Sequence, residues 1–245
     1  MASPISSRIF GVLPAGQTVE AWTLTGRGGL VLEAITYGGI VTRLLAPAHD
    51  GRAVDVVLGF NDFDSYLGGH PYFGAITGRV AGRIANAAFT LDGDTYWLAR
   101  NDPPHHLHGG LTGFDKRLWS AAPVHREDGA PSLRLKYMSP DGEEGYPGNV
   151  QVAVTYTVTD DNRFLIETEA VIGIGSWNRI RHLRLNRPME SLTNLRIKLG
   201  YPLSVAASKT VIKVNLASGH QIRVFDGKRC IAYRQERPRL DTEAL

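Results

Sequence analysis

The sequence predicts an all-β protein folded as a large antiparallel sandwich or barrel. Apolar and polar residues alternate through residues 150–158 and 133–137, which is the period of a β-strand with one solvated face. Turn-forming pairs such as Asp50-Gly51 and Asp141-Gly142 separate the segments, and no segment has the 3.6-residue periodicity of a long helix. Many short strands with regular turns between them are typical of sandwiches and barrels.

Further along the chain, the same pattern predicts a hairpin and several additional strands. Residues 89–91 and 95–98 flank Asp92-Gly93-Asp94, a strong signal for a tight β-hairpin. Another strand is expected to open at residues 164–166. Residues 211–214 and 221–225 are shorter β-like pieces, which we expect to form further strands or to be poorly ordered.

The composition is that of a soluble globular protein. The chain has 245 residues, enough for one large domain or two small ones, with 43% hydrophobic and 21% charged residues. No apolar run approaches the ~20 residues of a membrane span, and the N-terminus lacks the layout of a signal peptide. The single cysteine, Cys230, excludes an intrachain disulfide and a cysteine zinc cluster. We therefore expect a cytoplasmic protein that does not associate with membranes.

The net charge of the chain changes sign near residue 170. Residues 1–170 contain 13 Lys and Arg against 19 Asp and Glu, a net charge of −6, whereas residues 171–245 contain 14 against 5, a net charge of +9. The arginines of residues 178–188 lack the interleaved aromatic residues of a single-strand binder, so we expect no nucleic-acid partner. The expected organisation is a β-rich unit at 1–170 followed by a divergent or aberrant basic segment at 171–245.

A cluster of histidines, His105, His106 and His108, lies between a Pro-Pro pair and a Gly-Gly pair. In an extended strand His106 and His108 share a face, and two imidazoles at that spacing can bind zinc. A third ligand is needed, and no Asp, Glu or Cys supplies one at a familiar spacing. We therefore expect no metal site, and expect His105 and His106 to form ordinary hydrogen bonds in a loop.

Two further stretches contain charged residues in loop-like surroundings. Residues 69–93 are rich in glycine and include Arg79 and Arg83, but no Lys-Ser/Thr ending follows, so nucleotide binding is disfavoured. An arginine there is either part of a structural ion pair or a fork that binds a polyol. In the acidic turn at residues 139–149, we expect Glu143 and Glu144 to be solvated.

Five ordered stretches of the chain resemble the aldose 1-epimerase (galactose mutarotase) family, over residues 10–170. The blocks LHGG-x-x-GFDK-x-x-W and GR-x-x-x-RI are the most specific. The stretches are ITYGGIVTRLLAP from Ile35, DVVLGFNDFDSYL from Asp55, HPYFGAITGRVAGRIANAAFTLDG from His70, HHLHGGLTGFDKRLW from His105, and SPDGEEGYPGNVQVAVTYTVTDDN from Ser139.

The resemblance implies a galactose mutarotase-like β-supersandwich with an open cleft for a hexopyranose such as galactose or glucose. It implies interconversion of α and β anomers by ring opening, with a carboxylate base, a histidine acid and neither a metal nor an organic cofactor. By position, His108 is a catalytic, sugar-contacting residue near the ring oxygen, Arg83 holds sugar hydroxyls, and Gly82 stands where the family often has Asn. We expect a monomer or a weak dimer.

Beyond residue 170 the family pattern stops, so we expect the fold to be incomplete at the C-terminus. Asn178, His182 and Asn186 keep a spacing seen around the family's catalytic acid, which makes His182 the second candidate catalytic residue, with chance spacing as the alternative. Tyr233 stands where the base is expected, and no glutamate base is identified. Three interpretations remain open: an epimerase impaired by loss of these motifs, a non-catalytic carbohydrate-binding homologue, or a truncated product.

Overall fold

The computed structural model describes residues 4–173 and the strands at 203–204, 209–215, 221–226 and 229–235. Within these residues the chain is almost entirely β-structure, so the predicted all-β class is confirmed. None of the described helices is long and apolar enough to cross a membrane. The helical segments are one short α-helix, α1 (Phe63–Leu67), and three single 3₁₀ turns, Ala85–Ala87, Phe114–Lys116 and Glu143–Gly145.

The first sheet has five antiparallel strands in chain order. On β2 both faces carry buried side chains: Val19 and Ala21 pack in one buried cluster, and Leu24, on the opposite face, packs in another. The strands are β1 (Ile5–Val12), β2 (Thr18–Thr25), β3 (Val31–Ile35), β4 (Val41–Pro47) and β5 (Ala53–Asp55).

Short strand pairs follow the first sheet. The antiparallel pairs are β7 with β10 and β8 with β9, while β6 pairs with a strand nearer the C-terminus. The hairpin predicted at Asp92-Gly93 is confirmed, and both residues have positive φ, 53° and 92°, as a type I′ turn requires. The strands are β6 (Ile76–Thr77), β7 (Arg83–Ile84), β8 (Ala88–Leu91), β9 (Asp94–Trp97) and β10 (His106–Leu107).

The second large sheet has seven strands in the order β11-β12-β13-β14-β16-β17-β18, and β15 pairs in parallel with β6. Its longest pairing joins β13 and β14 over ten residue pairs. The β-like pieces at 211–214 and 221–225 lie within β16 and β17. The strands are β11 (Ser120–Pro123), β12 (Ser132–Ser139), β13 (Asn149–Val158), β14 (Arg163–Gly173), β15 (Leu203–Ser204), β16 (Lys209–Asn215), β17 (Gln221–Asp226) and β18 (Arg229–Gln235).

The main core lies between the two large sheets. Leu24 and Leu32 of the first sheet belong to the same buried cluster as Leu133 and Val154 of the second. Burial of such side chains stabilises the fold by about 1.5–3 kcal/mol each. The Tyr156 hydroxyl on β13 also donates a hydrogen bond of 2.7 Å to the Gly39 carbonyl in the β3–β4 turn, which joins the two layers.

Strand β13 differs in one respect from its sequence pattern. Val152, Val154 and Tyr156 are buried as predicted, but Ala153 and Thr157 on the other face are buried as well. The Thr157 hydroxyl pairs at 2.8 Å with that of Ser132, its cross-strand partner on β12. The alternating pattern therefore located the strand correctly but overestimated how much of its second face meets solvent.

We predict that Tyr156→Phe destabilises the protein by about 1–3 kcal/mol, because it leaves the buried Gly39 carbonyl without its hydroxyl donor. Denaturant unfolding measures the change. Tyr96→Phe on the β8–β9 hairpin is the matched control, because Tyr96 is only half-buried. Equal losses of unfolding free energy in the two variants would contradict the proposed role of the Tyr156–Gly39 hydrogen bond in joining the two sheets.

Candidate active site

The site is built on the pairing of β7 with β10. In this register Ile84 faces His106 and Arg83 faces Leu107. One residue further, the His108 N–H donates to the Gly82 carbonyl at 3.0 Å, and the Gly82 N–H donates to His108 Nδ1 at 3.0 Å. The structure thus brings together Gly82, Arg83 and His108, the three residues that the resemblance assigned to the sugar site.

The other two histidines of the cluster have local structural partners. His106 is fully buried, with Nδ1 2.8 Å from the Ala99 carbonyl and Nε2 2.8 Å from the Tyr146 hydroxyl. Because a carbonyl only accepts, Nδ1 carries the hydrogen and Nε2 accepts from Tyr146. His105 Nδ1 accepts from the Asn86 N–H at 3.3 Å. Among the described residues, no three His, Cys, Asp or Glu side chains group so as to hold a metal ion.

The local hydrogen bond defines the chemical state of the His108 ring. Since Nδ1 accepts from the Gly82 N–H, the neutral ring carries its hydrogen on Nε2. Burial and then the Arg83 charge lower the pKa of His108 to about 4, against an opposing effect of Asp102. At neutral pH this imidazole is therefore an uncharged hydrogen-bond donor. The Tyr72 ring packs edge-on against it, with 4.7 Å between ring centroids.

The backbone at His108 is held in an unfavourable conformation. His108 has φ 54°, and Gly109 and Gly110 follow with φ 91° and 109°, so three consecutive residues are left-handed. Only glycine fits after the histidine, because a Cβ at Gly109 would collide with the Gly78 carbonyl. The Gly-Gly pair thus makes the sharp turn that carries His108 out of strand β10.

The two arginines of the glycine-rich stretch have different environments. Arg79 donates to the carbonyls of Ser139, Pro140 and Pro147, which makes it a structural link to the 139–149 turn. Arg83 pairs through Nε with the Asp102 carboxylate at 2.5 Å, and its side chain remains 59% exposed. Arg83 is therefore the arginine that a ligand can reach, and Asp102 orients it.

The expectation that Glu143 is solvated is wrong, whereas Glu144 is half-buried and keeps exposed hydrogen bonds. The Glu143 side chain is only 7% exposed, pairs with Arg117 at 2.9 Å and accepts from the Tyr137 hydroxyl at 2.5 Å. Burial and the Glu143 carboxylate raise the pKa of Tyr137. The Glu144 carboxylate accepts from two consecutive backbone N–H groups, those of Leu111 and Thr112. Acidic residues in a turn are expected to be solvated when only the sequence is known, because their hydrogen-bond partners are distant in sequence.

His182, the second candidate catalytic residue, lies outside the described residues, as do Asn178 and Asn186. Its role stays a prediction. Sequence reasoning assigned no site role to Tyr72, Asp102 or Glu144; Tyr72 and Glu144 fall within the stretches that carried the resemblance, whereas Asp102 lies just before the stretch from His105. Asp102 immediately precedes the Pro-Pro pair. A carboxylate so close in sequence to the histidine cluster was the signal that could have identified Asp102 as a site residue.

We predict that neutral His108 stabilises the folded chain above pH 6.5 and that this contribution is lost as pH falls toward 4. The folded-state pKa of about 4 is below the ordinary 6.5, so the unfolded chain binds the proton more readily in that window. Denaturant unfolding of the wild type and His108→Gln across this range measures the effect. The difference in unfolding free energy between the two should change with pH. A constant difference would contradict the lowered pKa, and His49→Gln controls for loss of an exposed histidine.

Comparison with known proteins places this site in a family. The family profile described as aldose 1-epimerase matches residues 20–173. The galactose mutarotases of Sus scrofa and Homo sapiens are 47% and 48% identical over 155 and 159 residues, which is 63% and 64% of this chain and 44% of each relative. The aldose 1-epimerase of Escherichia coli K12 is 36% identical over 159 residues, 65% of this chain and 45% of that protein. The chain thus spans less than half the length of these relatives.

Solved structures support the same fold. The galactose 1-epimerase of Lactobacillus acidophilus superposes with a TM-score of 0.61 at 24% identity, covering 69% of this chain and 48% of that one. The aldose epimerase homologue of C. elegans superposes with a TM-score of 0.59 at 22% identity, covering 87% and 64%. With the architecture agreeing and the family profile matching more than half of the sequence, the chain belongs to the aldose 1-epimerase family.

Proposed function

We propose that this chain binds a hexopyranose such as galactose or glucose at Arg83 and His108 and interconverts its α and β anomers. The observation that carries the proposal is the hydrogen bond that joins Gly82, the neighbour of the exposed Arg83 on β7, to the neutral imidazole of His108, one residue beyond β10. The relatives named galactose mutarotase and aldose 1-epimerase support the choice of reaction.

The two side chains suit a sugar because they donate hydrogen bonds of different kinds. The guanidinium of Arg83 is a planar fork that can bond two neighbouring hydroxyl oxygens, while Asp102 limits its rotation through Nε. His108 donates from Nε2 alone, because the Gly82 N–H occupies Nδ1. A pyranose ring oxygen only accepts, so it matches the His108 donor.

Anomer interconversion requires one proton to leave the sugar and one to arrive. A base removes the C1 hydroxyl proton, the bond from C1 to the ring oxygen breaks, and that oxygen receives a proton. Rotation about C1–C2 and the reverse transfers then close the ring as the other anomer. In this scheme His108 stabilises negative charge developing on the ring oxygen through its Nε2–H.

His108 does not itself supply the proton in this scheme. Transfer from the neutral ring would leave an imidazolate, which is far too basic to form in an ordinary site. The proton therefore comes from another acid, for which His182 remains the candidate from sequence. The base has no assigned residue.

Sugar binding without catalysis is the second candidate function. It is favoured by the same hydrogen bond, since a histidine whose Nδ1 is occupied and whose pKa is about 4 binds a ligand better than it exchanges protons at pH 7. Affinity and rate measurements separate the two functions.

We predict that galactose binds to the wild-type chain and that Arg83→Ala weakens the affinity by about 10- to 100-fold, because hydrogen bonds to a charged group are lost. Isothermal titration calorimetry measures both constants. Arg52→Ala, at an exposed turn where Arg52 pairs with Asp50, should bind as the wild type does. Equal affinity of the Arg83 variant would refute this site, and binding abolished by a chelator would show that a metal takes part.

We predict a weak acceleration of mutarotation that His108→Gln retains and His108→Ala loses. A Gln amide can donate near the position of imidazole Nε2, whereas Ala removes the donor. General acid–base catalysis contributes about 10²–10⁴-fold, and we expect a small rate because no base is identified. Polarimetry of freshly dissolved α-glucose measures it. If Gln is as damaging as Ala, the role of His108 as a hydrogen-bond donor is refuted; if the wild type leaves the spontaneous rate unchanged, the binding-only function is favoured.

A further inference from the structure

Glu144 holds the loop that follows His108. Its Oε2 accepts from the Leu111 N–H at 2.9 Å and its Oε1 accepts from the Thr112 N–H at 2.9 Å. Both carboxylate oxygens are therefore engaged by consecutive backbone donors of one loop. The carboxylate also lies directly against Gly110, where an added Cβ would collide with it.

The turn that presents Glu144 is itself anchored. Arg79 bonds carbonyls at both ends of the 139–149 turn, and buried Glu143 pairs with Arg117 at 2.9 Å. Glu144 has φ 51°, a left-handed conformation in the middle of the 3₁₀ turn Glu143–Gly145. One carboxylate points into the protein and secures the turn, while the next points to the His108 loop.

The loop needs such support because His108 is a non-glycine residue with φ 54°. A left-handed residue of this kind persists only where its surroundings enforce the conformation. Asn101 enforces it from one side, bonding the N–H and carbonyl of Leu107 and the carbonyl of Gly110. Glu144 is the contact on the other side, immediately beyond the Gly-Gly pair.

We propose that Glu144 is a positioning residue: by clamping the N–H groups of Leu111 and Thr112, it keeps the His108 imidazole bonded to Gly82 with Nε2–H directed at the ligand. The consequence for sugar binding rests on the proposed function. The consequence for the orientation and tautomer of His108 does not, because it concerns contacts within the protein.

The test is Glu144→Gln in the full chain with histidine labelled by nitrogen-15. The Gln carbonyl can accept a hydrogen bond from one of the two N–H groups, but its NH₂ cannot accept from the other. One of the two hydrogen bonds to the loop is therefore lost. Glu127→Gln, at an exposed turn position, is the matched control. Glu144→Asp, whose shorter side chain withdraws the carboxylate, gives a second reading if the Gln variant folds poorly.

The expected result is specific to the site. In Glu144→Gln the ring nitrogen spectrum should show His108 losing its single tautomer, and the pH at which it protonates should rise from about 4 toward the ordinary 6.5. The dissociation constant for galactose should increase by about 3- to 10-fold, as expected for one lost hydrogen bond. The unfolding free energy should stay close to that of Glu127→Gln, which a purely structural role would not produce.

An unchanged His108 tautomer and titration in both Glu144 variants would overturn the inference, whatever the change in stability. A wild-type chain that does not bind galactose, combined with a His108 spectrum that still responds to Glu144→Gln, would refute the proposed function and leave the positioning role supported.

Discussion

The reciprocal hydrogen bonds between Gly82 and His108 are the constraint on which the rest of the site depends. One bond, from the His108 N–H to the Gly82 carbonyl, extends the β7–β10 pairing by a residue; the other, from the Gly82 N–H to Nδ1, selects the tautomer. Gly82 and His108 thus both continue the strand pairing and fix which imidazole nitrogen carries the hydrogen. Gly82 has φ 84°, a conformation in which most side chains are strained, so glycine is well suited to this position.

The charges of Arg83 and Asp102 act on the same imidazole. The Arg83 guanidinium is near enough to disfavour a second positive charge on His108, and Asp102 only partly offsets it. Asp102 also pairs directly with Arg83, so one carboxylate orients the arginine and moderates its effect on the histidine. Among the described residues, Arg83 paired with Asp102 thus presents a cation beside the neutral His108 donor, an arrangement suited to binding uncharged polar ligands.

Buried carboxylates also pair with the cations of residues 116–117, shortly after the His108 turn. Asp115 is fully buried and bonds Lys116 at 2.8 Å, and Glu143 is nearly as buried and pairs with Arg117. Removing one partner of a buried ion pair leaves an uncompensated charge and destabilises a protein strongly. Within the GFDK block, Asp115 is therefore a buried carboxylate whose charge is balanced by the partly buried Lys116 beside it.

The sequence alone predicted the β class and the Asp92-Gly93 hairpin, because alternation and turn chemistry are local properties of the chain. It also located the segments that carry Arg83 and His108, through their resemblance to a family.

Only the tertiary structure decided that His106 is a core residue while His108, two positions on, meets the site. Likewise, it decided that Arg79 is structural while Arg83 is accessible, and that Glu143 pairs with Arg117 while Glu144 accepts from loop N–H groups. The physical reason is that each of these outcomes depends on a partner distant in sequence, such as Tyr146 for His106 or Leu111 for Glu144, and local pattern contains no information about such partners.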